Sequence, residues 1–186
     1  MVDIHAIVTS IPDPVIFDRN EMEWLLQEVQ AINPKVILQI GTNQGKSAKC
    51  FLDAFNPECF ITIDILPKNK IAPPVLESEI STDIYLWEKD STLPSTIEQI
   101  ANILGERKVD FLFIDGAHDF VTVAKDFDNY KQFVRPGGII AFDDIYSNNR
   151  KDLQVDVVWN LLKREYPKFK EYKDNLVATG IGVLYV

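Results

Sequence analysis

Residues 36–47 read Val36-Ile37-Leu38-Gln39-Ile40-Gly41-Thr42-Asn43-Gln44-Gly45-Lys46-Ser47. The opening apolar run, closed by Gly41, is too short for a helix. It fits a strand buried on both faces, as a parallel sheet requires. A helix is predicted behind it, from Ser47 to Phe55, so the intervening loop joins the carboxyl end of a strand to a helix N-terminus. Glycine lets backbone approach a ligand closely there, and the helix start offers free N–H groups to a carboxylate. Gly41, Thr42, Asn43, Gly45 and Ser47 are therefore candidate ligand contacts, Ser47 through its hydroxyl. A plain strand-to-helix turn is the alternative.

Outward from this unit the same alternation repeats. On the N-terminal side, Asp18 and Glu21 have capping-box spacing. They precede a predicted helix reaching about Ile32, with Met22, Leu25, Leu26, Val29 and Ile32 on one face. Residues 1–17, holding Pro12 and Pro14, read as an irregular arm. On the C-terminal side, strands are expected at 60–64, 83–87, 109–114 and 139–142, and helices at about 95–104, 119–134 and 153–165. Residues 66–82 form a long proline-containing connection. The tail from Phe169 carries two β-rich stretches around Lys173-Asp174-Asn175, too close together for an intervening helix, and reads as an antiparallel hairpin. The fold class is thus α/β, a Rossmann-like doubly wound, mostly parallel sheet with helices on both faces. It forms one domain over residues 1–186, and ligands are expected beyond the carboxyl ends of the strands.

The chain has 186 residues with 19 basic and 28 acidic side chains, a net charge of −9. That balance argues against nucleic acid, whose binding rests on Lys and Arg, and against an anionic membrane surface. A domain this long buries roughly 70% of its unfolded surface and folds without a metal or disulfide staple. Cys50 and Cys59 form no disulfide framework and read as packed side chains in a reducing compartment. With no signal-peptide pattern and no long apolar run, the expected location is cytoplasmic. Trp24, Trp87 and Trp159 read as packing residues. His5 sits in the arm without a nameable partner.

The polar residues at the predicted strand ends carry the chemistry. Asp64, with Ile65 beside it, closes the second strand 23 residues after Gly41. That is near the roughly 20-residue offset at which an acidic residue accepts hydrogen bonds from a ribose. Asp90 and Ser91 follow the third strand, where they could meet the amino group of an adenine, although such residues are common in loops. Asp115 ends one strand, with His118 behind it, and Asp143 and Asp144 end the next. Neighbouring strands lie about 4.8 Å apart, so these carboxylates should converge, and uncompensated they would raise each other's pKa values. A divalent cation resolves the repulsion, and oxygen ligands favour Mg²⁺, Ca²⁺ or Mn²⁺. A histidine beside it is suited to proton transfer. The plainer reading is that Asp143 and Asp144 cap a loop and His118 holds a turn.

These stretches, together with Phe113-Ile114-Asp115-Gly116-Ala117-His118-Asp119-Phe120, Asp126-Phe127 and Pro136-Gly137-Gly138-Ile139-Ile140-Ala141-Phe142-Asp143-Asp144-Ile145, resemble a known group. It comprises class I methyltransferases and includes the cephalosporin-hydroxylase-like and macrolide sugar O-methyltransferases. The resemblance covers about residues 35–146, with weaker agreement at Gly180-Ile181-Gly182-Val183. It implies S-adenosylmethionine as cofactor, with its methionine part on Gly41–Ser47, its ribose on Asp64 and its adenine end at Asp90 and Ser91. It also implies magnesium on Asp115, Asp143 and Asp144, with His118 as general base. Gln39 stands where the group usually has Glu, which weakens the expected contact near the cofactor's amino group.

The expected reaction is methylation of a hydroxyl on a small-molecule or saccharide acceptor. Acceptor specificity is assigned to residues 66–82 and 145–152, and a homo-oligomer is left open. A nicotinamide-dependent oxidoreductase would also use Gly41 and Asp64, but the loop lacks the Gly-x-Gly-x-x-Gly fingerprint. A cofactor-binding protein without catalysis is the third reading.

Overall fold

Each apolar run of the sequence becomes a strand with its two faces in two separate cores. The computed structural model describes residues 2–13, 15, 17–66, 82–146, 152–173 and 180–186. In chain order the elements are α1 (Ile4–Ser10), α2 (Arg19–Gln30), β1 (Val36–Ile40), α3 (Lys46–Phe55), β2 (Cys59–Asp64) and β3 (Asp83–Glu88). Then follow α4 (Pro94–Leu104), β4 (Val109–Ile114), α5 (Phe120–Tyr130), a 3-10 turn (Lys131–Phe133), β5 (Val134–Phe142), α6 (Val155–Glu165), β6 (Phe169–Tyr172) and β7 (Ile181–Tyr185).

The seven strands form one sheet in the order β3-β2-β1-β4-β5-β7-β6. The first five are parallel. β7 runs antiparallel to β5, and β6 antiparallel to β7. Because side chains alternate along a strand, Phe111 and Phe113 of β4 enter one core while Leu112 and Ile114 enter the other. On the first face α1, α2 and α3 cover the sheet, with Phe51 edge-on to Phe111 and Phe113 at 5.2 and 5.3 Å between centroids. On the second face lie α4, α5 and α6, where Trp159 is buried and packs on Phe142. Strand order reverses between β1 and β4, so the switch point of this sheet lies where Gly41 and Asp115 emerge.

Four expectations are corrected. Residues 1–17 are not simply an irregular arm. Asp3 caps α1 by accepting from Ala6 N, and Ile4, Val8 and Ile11 are buried against the first-face core. The prolines at 12 and 14 masked this short helix in the sequence. His5 has a partner, with its Nδ1 2.9 Å from Glu23 Oε2. The helix expected over 119–134 ends at Tyr130, and β5 begins at Val134 rather than Ile139. Asp110 explains the earlier start. Its Oδ1 accepts from Arg135 Nε at 2.5 Å, and its Oδ2 accepts from the amides of Lys35 and Val36. One carboxylate thereby fastens β5 and the entry to β1 onto β4, with a register shift between Val109 and Phe111. Residues 67–81, 147–151 and 174–179, where the long connection, part of the acceptor segment and the middle of the expected hairpin were placed, lie outside the described residues.

Candidate active site

Gly41 leaves β1 with φ +88°, and a Cβ there would stand 1.8 Å from the carbonyl oxygen of Asp115. Both the backbone conformation and the contact require glycine. The loop beyond it is fastened from the next strand. Asp64 Oδ2 accepts from the amides of Thr42 at 2.8 Å and Asn43 at 2.6 Å, and its Oδ1 accepts from Leu66 N at 2.8 Å. Gly45, at φ +77°, then starts α3.

The two sides of the switch point open into one cavity of about 970 Å³. That is the upper end of the range for ligand pockets and leaves room for a cofactor and a second molecule. Gly41, Asn43, Ser47, Asp64, Ile65, Asp90, Ser91, Asp115, His118, Asp143 and Asp144 all line it. Three expected contacts do not. Thr42 is buried under the loop with its hydroxyl against Thr62, Gly45 serves the backbone turn, and Gln39 is fully buried in β1.

Gln39 acts on the cavity through a neighbour. Its Nε2 donates to the Gly41 carbonyl at 2.7 Å and to Ser47 Oγ at 2.9 Å. The Gly41 carbonyl can only accept, so the amide nitrogen must face it. Ser47 thus receives a hydrogen bond from behind and keeps its own proton for the cavity. The departure from Glu lies behind the ligand wall rather than on it.

At the other side of the switch point the carboxylates have fewer donors, one being the Asp144 amide, which donates to Asp143 Oδ1 at 3.0 Å. Burial pushes Asp115 well above the usual carboxylate range, and Asp143, Asp144 and Asp64 push it further. Burial raises Asp143 to about 8, with the charge of Asp144 adding to the shift. Asp144, in the left-handed region at φ +59°, turns its Oδ2 to within 3.1 Å of His118 Nε2. Among the described residues, no group of three or more His, Cys, Asp or Glu side chains is already gathered as a metal-ligand set. The chemistry of the site nevertheless fits a hard cation: all donors are oxygens, and they repel one another in a half-buried position.

Residues at the cavity edge also come from parts of the chain that the sequence reading left without a role. Val15, Phe17, Asp18, Glu21 and Met22 form its wall on the α2 side. Glu21, read as half of a capping box, is buried and accepts from Gly180 N at 2.9 Å across 159 positions. On the β3 side, Ser91 Oγ donates to Asp126 Oδ1 at 2.6 Å, and Tyr130 Oη donates to the Ser91 carbonyl at 2.6 Å. Asp126 was visible in the sequence only as part of a motif. A charged residue at a buried position of α5 was the available signal.

A sequence family described as a methyltransferase domain matches residues 38–145, more than half of the chain. This chain belongs to that family. The nicotinamide reading falls with this match. An uncharacterized protein of Acanthamoeba polyphaga mimivirus is 37% identical to the methyltransferase domain over 152 residues, covering 76% of this chain and 66% of that protein. An uncharacterized protein of Sinorhizobium fredii is 24% identical over 157 residues, covering 76% of this chain and 17% of that protein. The chain therefore spans less than two thirds of the length of these relatives.

Among solved structures, the fold resembles an O-methyltransferase from Bacillus cereus in complex with SAH, with a TM-score of 0.69 and 17% identity. That match covers 98% of this chain and 87% of the other. It also resembles the O-methyltransferase TomG from Streptomyces achromogenes in complex with SAM, with a TM-score of 0.69, 16% identity and coverage of 100% and 86%. A third is the methyltransferase MycE of mycinamycin biosynthesis, solved with Mg, SAH and mycinamycin VI. Its TM-score is 0.66 at 14% identity, covering 98% of this chain and 53% of that one. Among the described residues no helix is long and apolar enough to cross a membrane.

Proposed function

We propose that this methyltransferase domain transfers the methyl group of S-adenosylmethionine to a hydroxyl oxygen of a small-molecule or saccharide acceptor, assisted by a divalent cation, Mg²⁺ first. One observation carries the reading. A single cavity at the switch point joins a glycine loop at a helix N-terminus to a cluster of half-buried, mutually repelling carboxylates. SAM or SAH in the Bacillus cereus enzyme and in TomG, and Mg with SAH in MycE, support it.

The residues divide the work along the cavity. The start of α3 and the Ser47 hydroxyl take the methionine carboxylate, where free amides and the helix end favour an anion. Asp64 already accepts from three amides, two of them in the glycine loop, and a carboxylate has about four lone-pair sites, so it can also receive a ribose hydroxyl. Asp90 and Ser91 face the base. Asp115, Asp143 and Asp144 would hold the cation, which supplies Lewis acidity toward an acceptor hydroxyl. Asp144 Oδ2 lies 3.1 Å from His118 Nε2, and a hydrogen bond donated from that nitrogen to the carboxylate leaves the lone pair on Nδ1. His118 receives the acceptor's proton at Nδ1. The acceptor oxygen forms the new bond to the methyl carbon as the carbon–sulfur bond breaks, and the electron pair goes to sulfur. Alignment of oxygen, methyl and sulfur can contribute about 7–11 kcal/mol.

Methyl-labelled S-adenosylmethionine incubated with a panel of catechols, macrolide sugars and other polyhydroxyl compounds tests this reading. Label is expected on oxygen with Mg²⁺ and to be lost with a chelator. Full cofactor binding with no label transferred to any acceptor would favour a domain that binds the cofactor without catalysis.

A further inference from the structure

Behind Ser91, which lines the cavity, lies a buried polar group that the mechanism above does not use. Asp126, on α5, is 0% exposed, yet it accepts only one hydrogen bond among the described residues, from Ser91 Oγ. Its other oxygen, Oδ2, has no partner among them. A buried carboxylate held by a single donor does not stabilise a fold. Replacing such a group with an apolar side chain of similar size is often neutral or favourable. Its neighbour Ser91 is 9% exposed and lines the cavity. The Ser91 backbone is fixed as well, because Tyr130, one helical turn after Asp126, donates to its carbonyl. Ser91 is therefore held at two atoms from the same helix.

This arrangement decides which hydrogen-bonding face Ser91 shows. A free serine hydroxyl donates or accepts as its ligand requires. An ionised carboxylate can only accept, so the Ser91 proton is committed to Asp126 and the oxygen's lone pairs are what remain for a ligand. Burial pushes the Asp126 carboxyl up to about 6, which leaves it mostly ionised at neutral pH.

We propose that Asp126 is a positioning residue that sets base specificity: by taking the Ser91 proton it makes this end of the cavity accept an exocyclic amino group and reject a carbonyl at the same position. The inference rests on S-adenosylmethionine as the ligand and adds what reads the base. It predicts selection of 6-aminopurine over 6-oxopurine by a residue that never touches the purine.

The test is the ratio of dissociation constants for S-inosylhomocysteine and S-adenosylhomocysteine, measured by calorimetry on the full chain. Wild type should favour the adenosyl ligand by about tenfold or more, since a carbonyl would meet only lone pairs. Asp126→Ala should bring the ratio to within about threefold by freeing the Ser91 proton. Ser91→Ala should do the same. In the double variant, Asp126→Ala should have no further effect on the ratio. A purely structural role for Asp126 would weaken both ligands alike and leave the ratio at the wild-type value, which would overturn the proposal. So would an Asp126→Ala effect of equal size in the Ser91→Ala background. Failure of folded wild type to bind either ligand would overturn the cofactor reading along with this one.

If Asp126→Ala does not fold, wild type supplies the same test through pH. The charged groups acting on Asp126 are Asp90 and Asp119. Hydrogen bonds from Thr92 and Thr122 hold these two below the usual carboxylate range, and burial pushes Tyr130 above the usual phenol range. Asp126 is the member of this group that changes charge between pH 5 and 8. The ratio should narrow below a midpoint near 6. A ratio constant from pH 8 to 5 would contradict the proposal. Groups at the homocysteine end act equally on both ligands and cancel.

Discussion

Asp64 and Asp115 close neighbouring regions of the same sheet, one strand apart on either side of β1, yet they are in opposite electrostatic positions. Asp64 is surrounded by donors: three amides of its own and the glycine loop point at its two oxygens. Asp115 is surrounded by other carboxylates, and burial leaves its charge unscreened. Identical side chains at equivalent strand ends therefore do different work. The first is satisfied without any ligand and shapes the loop that receives one. The second lies among like charges that, with burial, raise its pKa.

The largest effect that would break this contrast is at Asp115. Asp115→Asn should lower kcat for methyl transfer by about a hundredfold or more while far-UV circular dichroism stays unchanged. Turnover at the wild-type rate would remove Asp115 from the chemistry. Gly41→Ala attacks the loop side, placing a side chain at positive φ and against the Asp115 backbone. We expect a loss of about 2–4 kcal/mol in denaturant-unfolding stability. A loss under about 1 kcal/mol would show that the loop can move away.

Stability against pH sharpens the comparison further. The folded-state pKa values of Asp115 and Asp143 lie above their unfolded values. Such groups contribute stability that is fully present below about pH 4 and is lost as pH rises toward the folded value, near 8 for Asp143. Without divalent cations, Tm should fall by roughly 5 °C between pH 5 and 8, after allowing for the smaller contribution of Asp126 with the same sign. Mg²⁺ should flatten the slope. A Tm that rises with pH in the absence of cations would contradict the electrostatic account of the cluster. The smallest expected effect is at Gln39. Gln39→Glu sets a carboxylate against the Gly41 carbonyl and should cost about 1–3 kcal/mol of stability, with little change in kcat. Improved stability would show that the amide is not needed to hold the loop.

How much of this was legible beforehand follows from the range of each interaction. The parallel strands were readable because burial on both faces writes a nearly continuous apolar run, as in Val36–Ile40 and Val109–Ile114, each with one polar residue. The convergence of Asp115, Asp143 and Asp144 followed from strand adjacency alone. α1 was missed because its signal is one capping aspartate and three apolar residues beside two prolines. The Asp18–Glu21 spacing correctly gave Asp18 as the N-cap of α2, but it could not show that Glu21 also accepts from Gly180 N, 159 residues away. Gln39 was placed near the ligand by the resemblance alone, and strand periodicity could not correct this, because it does not say whether a polar residue in a buried strand faces a cavity or a neighbour such as Ser47. Asp126 could be singled out only once Ser91 was known to lie against α5.

The most direct test of the central claim is a calorimetric titration of the purified protein with S-adenosylmethionine, with Mg²⁺ and again with a chelator. The account predicts saturable one-to-one binding in both conditions, because Ser47, Asp64 and Ser91 are in place without the ion. It also predicts a change in affinity or proton release with Mg²⁺ as the carboxylate cluster gains its counter-charge. Absence of binding in both conditions would contradict it.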